Sequence, residues 1–149
     1  MKFMIQRVTE ATVTSEGKEL GSIGKGFVVL IGVADTDTLP IAEKMVNKMT
    51  SMRIFEDENG KTNLSLKDVD GSLLLVSQFT LYANCKKGNR PSFIEAGSPE
   101  FAEEMYNKII NMCKEKISNV QTGSFGADMQ IALVNDGPFT IMLDSDVIC

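Results

Sequence analysis

Two short tetrads, Ser77-Gln78-Phe79-Thr80 and Gly137-Pro138-Phe139-Thr140, carry the groups best placed for chemistry in a chain that contains no histidine. Hydrolysis by a serine or cysteine nucleophile near neutral pH usually draws on imidazole as the base, because only histidine has an unperturbed pKa in that range. Zinc enzymes mostly draw on the same residue. Catalysis here would have to be built from hydroxyls, backbone amides and groups on the substrate, with no metal or cofactor. The cysteines, Cys85, Cys113 and Cys149, are odd in number and widely spaced, which fits neither a disulfide framework nor a CxxC site. They read as free thiols, and Cys85, in a polar loop, is the one to test for reactivity.

Bulk properties narrow the partners. A chain of 149 residues suits one domain, residues 1–149, with a sizeable core. Hydrophobic residues at 43% and charged residues at 23% are ordinary globular values and exclude disorder. No apolar run approaches the ~20 residues of a membrane span. The start, Met1-Lys2-Phe3-Met4-Ile5-Gln6-Arg7, reads as a strand and not as a signal peptide, so a cytoplasmic protein is expected. A net charge of −5 excludes a broad basic face for duplex nucleic acid. The run Lys86-Lys87-Gly88-Asn89-Arg90 is the local exception; it reads as a solvated loop, of a size to hold a nucleic-acid end.

The elements that must position the tetrads follow from periodicity and turn residues. Strands are expected at 2–8, 11–15 and 27–33. Gly21-Ser22-Ile23-Gly24-Lys25-Gly26 superficially resembles a phosphate loop, but lacks the GxxxxGK[ST] spacing and leads into a strand, so it reads as a turn. A helix over 39–52 has Thr38 as cap, Pro40 in its first turn and Ile41, Met45, Met49 and Met52 along one face. Asp57-Glu58-Asn59-Gly60 is a hairpin-type turn without the ligand pattern of a calcium loop. A strand over 72–81 contains Leu73-Leu74-Leu75-Val76, buried on both faces. A second helix begins at Ser98-Pro99 and shows Phe101, Met105, Ile109 and Met112 on one side. Strands at 130–134 and 139–144 are joined by the turn Asn135-Asp136-Gly137-Pro138. The sum is an α+β domain, a largely antiparallel, barrel-like sheet with two main helices.

On such a strand, Ser77 and Phe79 share one face and Gln78 and Thr80 the other. Pattern alone favours the plain reading, in which Thr80 is a β-branched strand residue and Gln78 is half exposed. The Gly137-Pro138 bond is trans by default, since only ~5% of X-Pro bonds in folded proteins are cis.

Longer segments carry a resemblance. Gln6-Arg7-Val8, Ile23-Gly24-Lys25-Gly26, Gly32-Val33, Arg53-Ile54-Phe55-Glu56-Asp57 and Gly60-Lys61-Thr62-Asn63-Leu64-Ser65 are followed by Ser77-Gln78-Phe79-Thr80-Leu81 and Gly88-Asn89-Arg90-Pro91-Ser92-Phe93. Thr122-Gly123-Ser124-Phe125-Gly126-Ala127 and Asn135-Asp136-Gly137-Pro138-Phe139-Thr140 complete the series. Together they resemble the D-aminoacyl-tRNA deacylases nearly end to end. The resemblance implies a homodimer with both sites at the subunit interface. It implies that Ser77, Gln78, Phe79 and Thr80 line the pocket for the 3′-terminal adenosine and its amino acid. Gly137-Pro138 would be cis and reach into the partner's pocket, where its carbonyls exclude an L side chain and admit a D side chain or glycine. Arg7 would hold that loop, Phe125 would shape the adenosine pocket, and Thr140 would belong to the same selective segment. Phe139 departs from the family pattern, where a smaller β-branched residue is usual, and implies local repacking.

The implied chemistry suits the missing histidine: no base stands near Thr80 in sequence, so water would attack with help from the tRNA's 2′-hydroxyl. Amides around Phe79 and Thr80 would hold the oxyanion, worth ~10²–10³ for one good donor. Two alternatives stay open. One is a relative that edits L-alanyl or glycyl esters with a trans proline; the other is a non-catalytic dimeric module that holds a nucleotide or RNA end.

Overall fold

The computed structural model describes residues 1–149. The strands are β1 (Lys2–Ser15), β2 (Lys18–Ile23), β3 (Gly26–Gly32), β4 (Phe55–Glu56), β5 (Thr62–Leu64), β6 (Ser72–Ser77), β7 (Val120–Thr122) and β8 (Gln130–Asp144). The helices are α1 (Leu39–Ser51), α2 (Pro99–Lys116) and the short α3 (Ser145–Ile148), with a single 3-10 turn at Phe79–Tyr82. The main sheet runs β2-β1-β3-β6-β7, and β8 adds to the other edge of β1. Pairings of β1 with β2, β3 and β8 are antiparallel, whereas β3-β6 and β6-β7 are parallel. The sheet curls into a nearly closed barrel.

Alternation along the strands builds two cores. Phe27, Val29 and Ile31 of β3 and Leu73 and Leu75 of β6 face α1 and α2, meeting Met45, Met49, Met105, Tyr106 and Ile109. The intervening Val28, Leu74 and Val76 point into the barrel, against Val8, Ala11, Val13 and Ile23. Burial on both faces explains the unbroken apolar run of β6, which a half-exposed strand would not tolerate. Full burial is worth ~1.5–3 kcal/mol per large apolar side chain, so these two layers dominate the fold's stability.

Several local features differ from expectation. β1 is one strand and not two; register shifts against β8 around Val8 switch its odd-numbered residues from the helix-side core, Phe3 and Ile5, to the barrel interior, Ala11 and Val13. A bulge changes which face alternate residues occupy, and to a reader of the sequence it looks like a break. β8 is likewise continuous through Gly137-Pro138, which bulges out of the strand instead of turning it back. The glycine-rich stretch at 21–26 is mostly strand, with only Gly24-Lys25 turning between β2 and β3. Thr38 caps α1, its Oγ1 accepting from the Ile41 amide. Ser98 makes no cap bond on α2; its amide and hydroxyl donate to Asp35 Oδ1 at 2.8 and 3.1 Å, tying the start of α2 to the exit of β3.

Candidate active site

β6 ends at Ser77 because the chain leaves the sheet there: Gln78 still donates its amide to the Ile31 carbonyl at 2.7 Å, then the backbone tightens into the 3-10 turn. The expected strand over 72–81 therefore stops four residues early, and the alternation of Ser77 and Phe79 against Gln78 and Thr80 does not hold. Gly32 permits this turn to press on β3, since a Cβ there would lie 3.1 Å from Leu81 Cβ and 3.3 Å from the Gln78 carbonyl oxygen. The Phe79 and Thr80 amides head the turn and have no partner within it.

Beside the turn lies a cavity of about 580 Å³, walled mainly by apolar side chains. Ser77, Gln78, Phe79 and Phe125 line it; Thr80 does not. Thr80 is exposed, and its Oγ1 accepts from Gln78 Nε2 at 2.5 Å. Phe79 is 56% exposed and meets Phe93 edge-on, ring centroids 5.1 Å apart, which leaves an aromatic pair at the mouth. Phe125 packs on Tyr106, whose hydroxyl donates to the Leu75 carbonyl at 2.8 Å. Met129 closes the far wall, its sulfur accepting from the Ser124 amide at 3.3 Å.

Titration offers the cavity little. Burial pushes the Tyr106 phenol up, and burial followed by the charges of Asp37, Asp144 and Asp146 does the same for Tyr82, so neither supplies a phenolate at neutral pH. Asp128 is the one carboxylate among the lining residues and is exposed. The walls supply shape, a hydroxyl, an amide side chain and backbone donors.

The second tetrad forms a separate cluster. The Gly137-Pro138 bond is cis, as the resemblance implied. Gly137 sits at φ +133°, and a Cβ there would come within 3.2 Å of Arg7 Nη2 and 3.1 Å of the Phe139 nitrogen, so only glycine fits. Arg7 is 6% exposed and forks beneath the segment: Nη1 donates to the Ile54 carbonyl at 2.6 Å and Nε to the Asp136 carbonyl at 3.1 Å. The Phe139 ring lies 4.7 Å from the guanidinium carbon, so Phe139 packs onto the arginine that holds the loop. Asn135 staples the loop from outside, accepting from the Phe139 amide at 2.8 Å and donating to Thr140 Oγ1 at 2.8 Å. Pro138 and Thr140 are exposed. Sequence reasoning missed Asn135, Phe93 and the Ile54 carbonyl. All three lie inside quoted segments, but nothing local marks the Ile54 carbonyl as the acceptor for an arginine far back in the chain.

The two clusters do not meet within one chain. Ser77 is level with Ile31 and, through it, with Phe3, whereas Arg7 is level with Phe27. Four residues along a strand span ~13 Å, with β1 and β3 also between β6 and β8. None of Arg7, Gly137, Pro138 and Thr140 lines the cavity.

Comparison with known proteins shows the family of the chain as a whole. Residues 4–144 match the family described as D-Tyr-tRNA(Tyr) deacylase. The chain belongs to that family. A D-aminoacyl-tRNA deacylase of Clostridium novyi is 56% identical over 145 residues, covering 97% of each chain. One of Thermosipho africanus is 50% identical with the same coverage. Among solved structures, one titled c-Myc DNA Unwinding Element Binding Protein superposes with a TM-score of 0.91 at 42% identity, covering 97% of this chain and 98% of that one. A probable eukaryotic D-amino acid tRNA deacylase shares the fold, TM-score 0.82, at 18% identity over 95% of this chain and 97% of its own.

Proposed function

We propose that the chain hydrolyses the ester of D-aminoacyl-tRNA, releasing the D-amino acid and tRNA and sparing the L ester. Family membership supports the reaction, and the observation that carries its stereochemical half is the separation of the two clusters. A second copy can bring its Gly137-Pro138 to the Ser77 cavity, which one chain by itself leaves open. The working unit is thus a homodimer of two single-domain, 149-residue chains with two cross-subunit sites, acting in the cytoplasm where aminoacyl-tRNA is used.

The terminal adenosine enters the cavity, with Phe79, Phe93 and Phe125 around the base and Ser77 and Gln78 beside the ester. The partner's Gly137-Pro138 carbonyls, braced by Arg7, occupy the space an L side chain would need. Selection by exclusion requires no titrating group, and glycyl-tRNA, having no side chain, passes the same screen. Water attacks the carbonyl carbon, assisted by the substrate's 2′-hydroxyl. The Phe79 and Thr80 amides receive the developing oxyanion, then the C–O bond to the ribose breaks and that oxygen takes the proton the water gave up, relayed by the 2′-hydroxyl. Thr80 positions Gln78 and is not the nucleophile.

The printed title of the 42%-identical structure favours a second reading, a nucleic-acid-binding module. Incubation with matched D- and L-tyrosyl-tRNA separates the two. Rapid loss of the D ester with the L ester intact is the expected result; binding of both without release of amino acid would leave the module, and equal loss of both would remove the chiral screen.

A further inference from the structure

The basic run at 86–90 is a sequence motif that the site above leaves unused. It forms the tip of a small hairpin in the connection from the 3-10 turn to α2. Asn84 donates its amide to the Ser92 carbonyl at 2.8 Å, and Ser92 returns the bond at 2.9 Å. Asn84 Oδ1 also accepts from the Lys86 amide at 3.0 Å, and Gly88 turns the tip at φ +62°. Lys86, Lys87 and Arg90 are exposed, and none takes part in the chain's ion pairs, which join Met1 to Asp37, Arg7 to Asp136 and Lys108 to Glu104.

The root of this hairpin is the cavity mouth. Phe93 follows Ser92 directly, stands edge-on to Phe79 and lines the cavity. Aromatic rings for bases beside cations for the backbone are the recurring recipe for single-stranded nucleic acid. Elsewhere acidic residues outnumber basic ones, and the net charge is −5. The hairpin is therefore the surface at this mouth that a polyanion can approach without repulsion.

We propose that Lys86, Lys87 and Arg90 contact the phosphates of the unpaired 3′ strand of the aminoacyl-tRNA whose terminal nucleoside fills the cavity. The inference rests on the deacylase reading and adds the surface that recognises the RNA beyond its last nucleoside. These contacts lie away from the ester, so they act on KM and leave the chemical step alone. Each phosphate neutralised on a single strand contributes ~0.7 to the slope of log affinity against log salt, or about 2 for three cations.

The test is the triple variant K86S/K87S/R90S, whose side chains are all solvent-exposed, beside a charge-keeping K86R/K87R control. Both are assayed from about 50 to about 300 mM KCl on D-tyrosyl-tRNA and on the D-tyrosyl ester of adenosine, which has no phosphate. The expected result is a KM for the tRNA raised on the order of 10–100-fold near 0.1 M salt, with the salt slope lower by about 2. The tRNA kcat, the adenosine ester and the control should be unchanged. A wild-type KM and slope in the triple variant would overturn the inference, as would equal loss on both substrates, which would place the cations in the folding of the mouth. A wild-type protein inert toward both esters would overturn the deacylase reading, and this inference with it.

Discussion

Replacing Arg7 by methionine keeps an aliphatic stem in the buried slot and deletes the fork that ties β8 to the segment before β4. Three contacts go: the bonds to the Ile54 and Asp136 carbonyls at 2.6 and 3.1 Å, and the Phe139 ring at 4.7 Å. Hydrogen bonds from a charged donor are worth ~1.5–3 kcal/mol each, and a desolvated cation–π contact ~0.5–2 kcal/mol. The three share one guanidinium and do not add fully. The thioether also recovers some packing, so the expected loss is about 3–5 kcal/mol. The ion pair to Asp136 at 3.5 Å adds little, because that carboxylate is 47% exposed. Urea unfolding at one fixed protein concentration measures the change as a shift in midpoint at constant m. Arg7→Lys should fall between the two proteins, since a point charge reaches one carbonyl and not both. The D- and L-tyrosyl-tRNA rates are read on the same samples, and the L rate should rise toward the D rate as the loop loses its brace. A methionine variant within about 0.5 kcal/mol of wild type would refute the energetic argument. A destabilised variant with undiminished selectivity would refute the functional one.

Two further outcomes follow from the site and the thiols. Thr80→Ala should keep kcat within a factor of about 10, because its hydroxyl faces Gln78 and not a base; a loss on the order of 10⁴-fold or more, the scale of a missing nucleophile, would reverse that assignment. Burial pushes the Cys113 thiol up to about 12, while Cys85 and Cys149 are exposed. Iodoacetamide at pH 8 should therefore label Cys85 and Cys149 in the native protein and reach Cys113 only in denaturant, counted by mass spectrometry; native labelling of Cys113 would contradict its burial.

Local pattern carried much of the fold into view. The α1 stripe, its Thr38 cap and the Asn59-Gly60 turn depend on neighbours a few residues away, and each stands as expected, with Gly60 at φ +73°. What failed depends on partners remote in sequence. Ser98 looked like a cap until Asp35, far back in the chain, claimed its hydroxyl. The bulges in β1 and β8 look like breaks in the sequence, because a change of face is visible only against the strand alongside. Phe139 was expected to repack, but which group it would meet could not be read from its neighbours.

The sequence by itself determined the two main helices, the central apolar strands, the absence of an imidazole and the residues of both tetrads, because periodicity, turn chemistry and composition are short-range or global properties of the chain. Only the tertiary structure decided that β6 ends at Ser77, that the Thr80 hydroxyl is taken up by Gln78, and that Arg7 reaches the Ile54 and Asp136 carbonyls. It alone put the two tetrads at different levels of the sheet. Register and long-range hydrogen bonds set those distances, and both are agreements between segments that no single segment encodes.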